Sequence, residues 1–239
     1  MRSKFVRVGN VRRFIAGVEK VKERVAPEAS LMLSIGEPGH GKSQTAEWWA
    51  VQNDALFIRC KAACVPYWML SDLARSLGLQ PKRSCQQVFE QIYGELGRNP
   101  RPVVIDEIEH AVGGDMKSIE SLRDLTDLIG FTLILSGRPT CQAKLRAQPQ
   151  IWRRLSAVVE FAPVALDDVQ LCVDELAEVP ISPAIVEEIH RQSEGRIQQA
   201  LNGIANVERM ARRKKGDVVL GDFAGQPLFM DWQKLKVAA

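Results

Sequence analysis

The sequence predicts an α/β protein: a five-stranded parallel sheet with flanking helices, followed by a small all-helical domain. Three observations predict it. Short apolar runs alternate with helical patterns from residue 28 to residue 161, as parallel strands covered on both faces do. A glycine-rich turn joins the first of those runs to a helix. After Pro163 the periodicity is helical only. The expected organisation is an α/β domain over 1–162, a helical domain over 163–215 and a tail over 216–239.

Each element has a local reason. Asn10 reads as the N-cap of a helix that runs to about Val25, with Val11, Phe14, Ile15, Val18 and Val25 on one face. Pro27 stops it. LMLSI (31–35) is a buried strand, and the helix after the glycine-rich turn spans 42–52. ALFIRC (55–60) is the second strand. Helices at 66–77 and 85–96 follow, the latter opening with the capping-box spacing of Ser84 and Gln87. RPVVIDE (101–107) is the third strand, and Asp115 caps a helix that runs to about Ile129. FTLILSG (131–137) is the fourth strand, 139–155 is helical with a break near Pro149, and AVVEF (157–161) is the fifth strand. Helices at 166–178, 183–193 and 196–214 form the second domain, with Ser182 as a cap and Pro183 in the first turn.

Composition excludes several classes. Of 239 residues, 46% are hydrophobic and 26% charged, which rules out a disordered or low-complexity chain. A chain of this length buries a core without covalent staples. No apolar run approaches the ~18–20 residues of a membrane span. The basic N-terminus, MRSKFVRVGNVRRF, lacks the apolar stretch of a signal peptide. The expected location is the cytoplasm, with no membrane partner. Cys60, Cys64, Cys85, Cys141 and Cys172 are scattered and form no CxxC pair, so they read as reduced thiols and not as zinc ligands. The net charge of +3 does not by itself announce a nucleic-acid binder. Basic residues do cluster in the first thirty positions and in the run Arg209, Arg212, Arg213, Lys214, Lys215, which reads first as a solvated face.

The chemistry concentrates at two places. Gly36, Glu37, Pro38, Gly39, His40, Gly41, Lys42 and Ser43 fit G-x-x-x-x-G-K-[ST], after a strand and at the start of a helix. Such a loop cradles phosphates with backbone N–H groups at a helix N-terminus. Lys42 is the residue expected to reach the β- and γ-phosphates of ATP, and the Ser43 hydroxyl to ligate Mg²⁺. Gln44 completes the expected nucleotide contacts, while the His40 side chain reads as a spacer pointing to solvent. The second place is VVIDE, which puts Asp106 and Glu107 at the C-terminal edge of a buried strand, where α/β sheets bind ligands. Asp106 suits the metal's coordination sphere. Glu107 suits polarisation of an attacking water, which implies ATP hydrolysis.

This order of features resembles the AAA+ ATPases over about residues 8–212. The DEIEH segment and the length resemble most closely the transposition-regulator branch, which includes phage Mu transposition protein B and related target-selection ATPases. The resemblance implies a sensor-1 role for Ser136 in LILSG. It also implies an arginine finger at Arg153 or Arg154 in WRRLSAVVEF, with Arg154 favoured because an apolar residue follows it. Gly195-Arg196-Ile197-Gln198 is similar to the start of the lid helix, with Gln198 where a sensor-2 arginine usually stands and Arg196 two residues earlier. That departure implies slow hydrolysis and a long-lived ATP state.

The resemblance further implies a regulator that oligomerises on duplex DNA with ATP between subunits, as a helix or a ring, and delivers that DNA to a transposase. Mu protein B carries a helical DNA-binding region ahead of its ATPase. Only about ten residues precede the first helix here, so DNA contact is expected from the ATPase domain. Lys61, Lys82, Arg83 and Lys117 are the candidates, near the aromatic segment Cys64-Val65-Pro66-Tyr67-Trp68, which reads as helix core. The alternatives are another DNA-handling ATPase, such as a helicase loader or replication-initiator-like factor, and a P-loop switch that does not bind DNA.

Overall fold

Strand β1 (Leu31–Gly36) is buried at every position because it runs through the interior of a sheet. The computed structural model describes residues 1–62, 64–214, 216, 218–223 and 228–229. It places β2 (Leu56–Arg59), β3 (Val103–Asp106), β4 (Leu133–Gly137) and β5 (Leu155–Phe161) around β1 in the order β2-β3-β4-β1-β5. Every pairing is parallel. Parallel strands need crossovers. These are α2 (Lys42–Gln52), α3 (Pro66–Ser76), α4 (Cys85–Arg98), α5 (Lys117–Ile129), α6 (Thr140–Arg146) and α7 (Pro149–Trp152). The fold class is the one the sequence predicts.

The two-residue period of the strands sorts the core into two layers. Leu31, Leu33, Ile105 and Leu135 pack with Leu70 and Leu73 of α3, Ile92 of α4 and Ile119 of α5. Met32, Val104 and Ile134 face the other way, onto Phe14 and Val18 of α1 (Gly9–Lys22) and Trp49 of α2. Phe14 is fully buried and meets Trp49 and Phe161 edge-on, at centroid distances of 6.1 and 6.2 Å.

The chain divides into two compact units. One comprises Val11–Glu37 and Lys42–Phe161 and contains the sheet. The other comprises Met1–Asn10, Pro38–Gly41 and the described residues of Ala162–Ala239. In the latter, α8 (Leu166–Leu176), α9 (Pro183–Ser193) and α10 (Ile197–Lys214) bury Val169, Cys172, Ile185, Ile189, Ala200 and Ile204 among themselves. Lys215 of the basic run and most of the tail lie outside the described residues. Within the tail, Leu220–Phe223 form a 3-10 turn, and Leu228 and Phe229 are buried. Among the described residues no helix is long and apolar enough to cross a membrane.

Some local expectations hold and some fail. Ser84 Oγ accepts from the Gln87 N–H at 3.2 Å, as a cap does. Asp115 stands one residue before the N-cap position of α5, which Met116 occupies, although its Oδ1 accepts from the Lys117 N–H at 3.2 Å. Asn10 is not a cap. It lies inside α1, its Nδ2 donates to the carbonyls of Ala162 (2.8 Å) and His40 (3.3 Å), and its Oδ1 accepts from the Ala162 N–H. The first-turn N–H of Gly9 donates instead to Asp168 Oδ1, at 2.7 Å. A remote carboxylate does the work that a local amide was expected to do. Val25 lies beyond the end of α1 and is 99% exposed. Ser182 occupies the N-cap position of α9 without a side-chain hydrogen bond.

Phe14→Ala removes a fully buried aromatic ring and its contacts with Trp49 and Phe161. The expected cost is about 3–5 kcal/mol, read as a lowered urea midpoint, while Val25→Ala leaves the midpoint unchanged.

Candidate nucleotide-binding site

Between the end of β1 at Gly36 and the start of α2 at Lys42 the chain turns tightly, with Gly39 and Gly41 each at φ +88°. That left-handed conformation strains a residue with a Cβ, so both positions need glycine. The turn leads into a helix N-terminus, whose first N–H groups lack helical acceptors and favour anions. Lys42 Nζ donates to the carbonyls of Gly36 (2.5 Å) and Glu37 (3.0 Å). Burial lowers the pKa of the Lys42 ammonium, and attraction to Asp106, Glu109 and Glu37 opposes that shift. Ser43 is half-buried in the first turn of α2; Glu37, Pro38 and Gln44 are exposed. His40 does not point to solvent: it is 8% exposed, and its carbonyl accepts from Asn10.

Asp106 closes β3 and is 1% exposed. Its Oδ2 has no hydrogen-bond partner and stands 3.9 Å from Arg59 Nε. Ser136 is fully buried, with its Oγ unpartnered. It lies one step beyond the Ile105–Leu135 pair, beside Asp106, and directly opposite Ser34 of β1, whose hydroxyl is also unpartnered. Three adjacent strands thus end in buried polar atoms that lack partners. Each such atom costs of order 1–3 kcal/mol, so the cluster marks a place that a polar ligand would complete. An unpartnered carboxylate oxygen within the field of Lys42, beside serine hydroxyls, is a donor set that fits a divalent cation and a phosphate chain.

Glu107 leaves the strand in the left-handed region, at φ 59° and ψ 40°. Strain of this kind in a residue with a Cβ clusters at functional sites, although Asp54, Met116 and Glu194 share it here. Its Oε1 is 3.6 Å from Arg59 Nε and its Oε2 is 3.9 Å from His110 Nε2. Arg59, Glu109 and Arg138 were absent from the sequence-derived site. Glu109 sits on the 3-10 turn Ile108–His110, and its Oε1 accepts from Arg138 Nε at 3.1 Å. The signal was present, a second acid two residues after Glu107 and an arginine directly after β4, but no motif singled it out.

The two candidate finger arginines differ in environment. Arg154 donates twice to Asp127, at 3.1 and 2.8 Å, and its side chain is 15% exposed. That carboxylate raises the Arg154 pKa further. Arg153 is exposed. In the unit that holds the loop tip, a Cβ at Gly39 would meet the Arg196 methylenes at 3.2–3.3 Å, and the Gln198 N–H donates to the Gly39 carbonyl at 3.5 Å. Arg196 therefore lies along the glycine turn, although it is displaced by two residues from the expected position.

The candidate DNA contacts are all exposed on the sheet-containing unit. Lys61 pairs with Asp72 at 2.7 Å and Lys117 with Asp115 at 2.8 Å. Lys82 and Arg83 make no ion pair among the described residues. Tyr67 packs against the core as expected, whereas Trp68 is 47% exposed.

Residues 26–145 match the family described as AAA domain. None of the curated proteins matches the chain. Among solved structures the fold is similar to that of the Aeropyrum pernix Orc1 protein in complex with DNA, at TM-score 0.64 and 18% identity, over 89% of this chain and 62% of that one. It is similar to Cdc6p from Pyrobaculum aerophilum, at TM-score 0.59 and 15% identity, over 86% and 62%. It is also similar to a RuvB variant from Thermotoga maritima, at TM-score 0.56 and 19% identity, over 90% and 67%. The chain thus spans about three fifths of the Orc1 and Cdc6p chains it resembles.

The desolvated Lys42 ammonium is expected to lose its proton below the ordinary lysine value of 10.5. In a titration of methyl-labelled lysines followed by NMR, without nucleotide, its midpoint falls below 10.5.

Proposed function

The chain belongs to the AAA domain family, and from that premise we propose that it is an ATP-dependent DNA-binding regulator that assembles on duplex DNA and delivers it to a transposase. The observation that carries the ATPase part is the buried, partnerless Asp106 oxygen within the field of Lys42. The glycine turn and the N-terminus of α2 bind the phosphates, and Lys42 exchanges its two carbonyl acceptors for β- and γ-phosphate oxygens. Ser43 and Asp106 would hold a magnesium ion. When bound, that ion neutralises charge on the triphosphate. Glu107 accepts the proton of the attacking water, and Arg59 holds its carboxylate until the site is filled. Ser136 offers its free hydroxyl beside Asp106.

Between the two arginines of WRRL, Arg153 is the one with an exposed guanidinium available to a neighbouring subunit's phosphate; Arg154 braces α5 through Asp127. ATP between subunits couples nucleotide binding to assembly. The resemblance of DEIEH and the overall motif order to the transposition branch supports the transposase reading. DNA contact is sequence-independent, through phosphates, and Lys82 and Arg83 are its best-placed cations. A second reading, a helicase loader or initiator-like factor, draws on the fold likeness to Orc1 and Cdc6p.

ATP hydrolysis measured with and without duplex DNA, and co-purification with a transposase, test this function. DNA should stimulate turnover, and Glu107→Gln should lower it by about 10²-fold or more while DNA complexes persist. Stimulation without transposase binding favours the second reading, and an activity indifferent to DNA leaves a P-loop switch.

The finger assignment is tested by mixing. Arg153→Ala and Lys42→Ala are each expected to be inactive alone and to recover ATPase activity together, because one supplies the phosphate site and the other the finger. Wild-type turnover in Arg153→Ala would remove it from the site.

A further inference from the structure

Beyond α10, two apolar residues of the tail are buried in the helical unit, Leu228 and Phe229. They are held by their main chain. The Leu228 N–H donates to Gln192 Oε1 of α9 at 3.0 Å, and the Leu228 carbonyl accepts from Asn206 Nδ2 of α10 at 2.8 Å. Phe229 lies over Gly203 of α10, where a Cβ would come within 3.3 Å of its ring and 3.1 Å of Ile189 of α9. Any larger residue at 203 would therefore crowd the seat of the ring. Both amides are oriented by a charged neighbour. Gln192 Nε2 donates to Glu188 Oε1 at 2.6 Å, which leaves Gln192 Oε1 for an incoming N–H. Asn206 Oδ1 accepts from Arg209 at 2.9 Å, which leaves Nδ2 to donate. An amide has one acceptor end and one donor end, so each ion fixes which end meets the segment. Glu188 stays ionised as an acceptor, because Arg191 bonds both its oxygens and holds its pKa down at about 2.

The cleft between α9 and α10 thus presents one acceptor, one donor and an apolar seat at fixed places. Groups that hold main-chain atoms give affinity for a segment, and pockets for its side chains choose its sequence. Nothing in these contacts depends on the segment belonging to the same chain, so every copy carries both a cleft and a segment that fits it. Covalent linkage gives a chain's own segment an effective concentration on the order of millimolar, so a dispersed chain keeps its own tail. Copies held side by side bring a neighbour's segment to a comparable concentration, where it makes the same contacts.

We propose that the cleft between α9 and α10 is a peptide-docking site, filled by Leu228 and Phe229 of the same chain when copies are dispersed and by those residues of a second copy when copies are assembled. Gln192 and Asn206 hold the main chain of the segment, and Gly203 and Ile189 seat its ring. The inference is independent of the nucleotide reading, since none of the phosphate-site residues takes part.

The probe is a fluorescent peptide of residues 225–231, GQPLFMD, titrated into the full chain without nucleotide. A tail variant carrying Leu228→Ala and Phe229→Ala vacates its own cleft. It should bind the peptide roughly tenfold or more tightly than wild type does, because the wild-type tail competes. Adding Gln192→Ala and Asn206→Ala should lower that affinity by roughly tenfold or more, the scale of two lost hydrogen bonds. A peptide with alanine at both apolar positions should not bind. A tail variant that keeps the wild-type helical circular dichroism but takes up no peptide overturns the site, because the segment is then fixed packing. Should that variant lose its helical signal, Phe229→Leu, which keeps most of the apolar volume, replaces it with the same expectation on a smaller scale. Equal binding by wild type and tail variant places the peptide elsewhere and overturns the site as well. So does binding of the alanine peptide, or binding that survives loss of both amides. The second copy is tested by mixing. A chain with Gln192→Ala and Asn206→Ala has a released tail, and the tail variant has a vacant cleft. Sedimentation should show a one-to-one complex of the two that neither forms by itself. Peptide docking without that complex overturns the exchange between copies.

Discussion

The site is built around a carboxylate placed where water cannot reach it. Asp106 ends a strand that lies between two others, so its side chain is as buried as the valines before it. An isolated charge in such a place costs several kcal/mol. What offsets the cost is the company it keeps: Lys42 from the phosphate loop and Arg59 from the neighbouring strand. The compensation is incomplete, because Oδ2 still lacks a hydrogen bond. A group so arranged is stable enough to persist and still short of one hydrogen bond.

Acids sort four arginines, Arg59 and Arg138 at the C-terminal edge of the sheet and Arg153 and Arg154 at the opposite edge, where β5 begins. Arg59 faces Glu107, Arg138 faces Glu109, Arg154 is held by Asp127, and Arg153 projects to solvent. Exposed pairs of this kind contribute little to stability. Their value is positional, since each acid decides whether its arginine is fixed or free to be recruited. Glu107 pays for its position with a left-handed backbone, which turns its carboxylate away from the line of the strand and towards Arg59 and His110.

In the other unit the loop tip is held by its carbonyls. His40 accepts from Asn10, Gly39 accepts from Gln198, and Arg196 lies along Gly39. Asn10 joins this tip to the start of the helical segment at Ala162, while Asp168 caps the helix that carries Asn10. The glycine turn is thereby tied to the N-terminal and the helical segments of its unit through bonds between residues far apart in the chain.

The alternation of apolar runs with helical patterns determined the parallel sheet, because strands buried on both faces must be apolar throughout and must be joined by crossovers. The octapeptide around Lys42 and the DE pair were legible for the same kind of reason: both depend on backbone turns and strand ends that local sequence specifies. Partners across the chain were not legible. Nothing near Asn10 signals that its amide serves Ala162 and His40, and nothing near Gly9 points to Asp168. Arg154 and Arg153 are neighbours with the same side chain, and only the tertiary placement of Asp127 separates them. Glu109 and Arg138 are 29 residues apart and meet because β3 and β4 are adjacent in the sheet. Local sequence specifies where the chain turns and which face is apolar; the partner of each charge depends on which strand lies beside which, and only folding settles that.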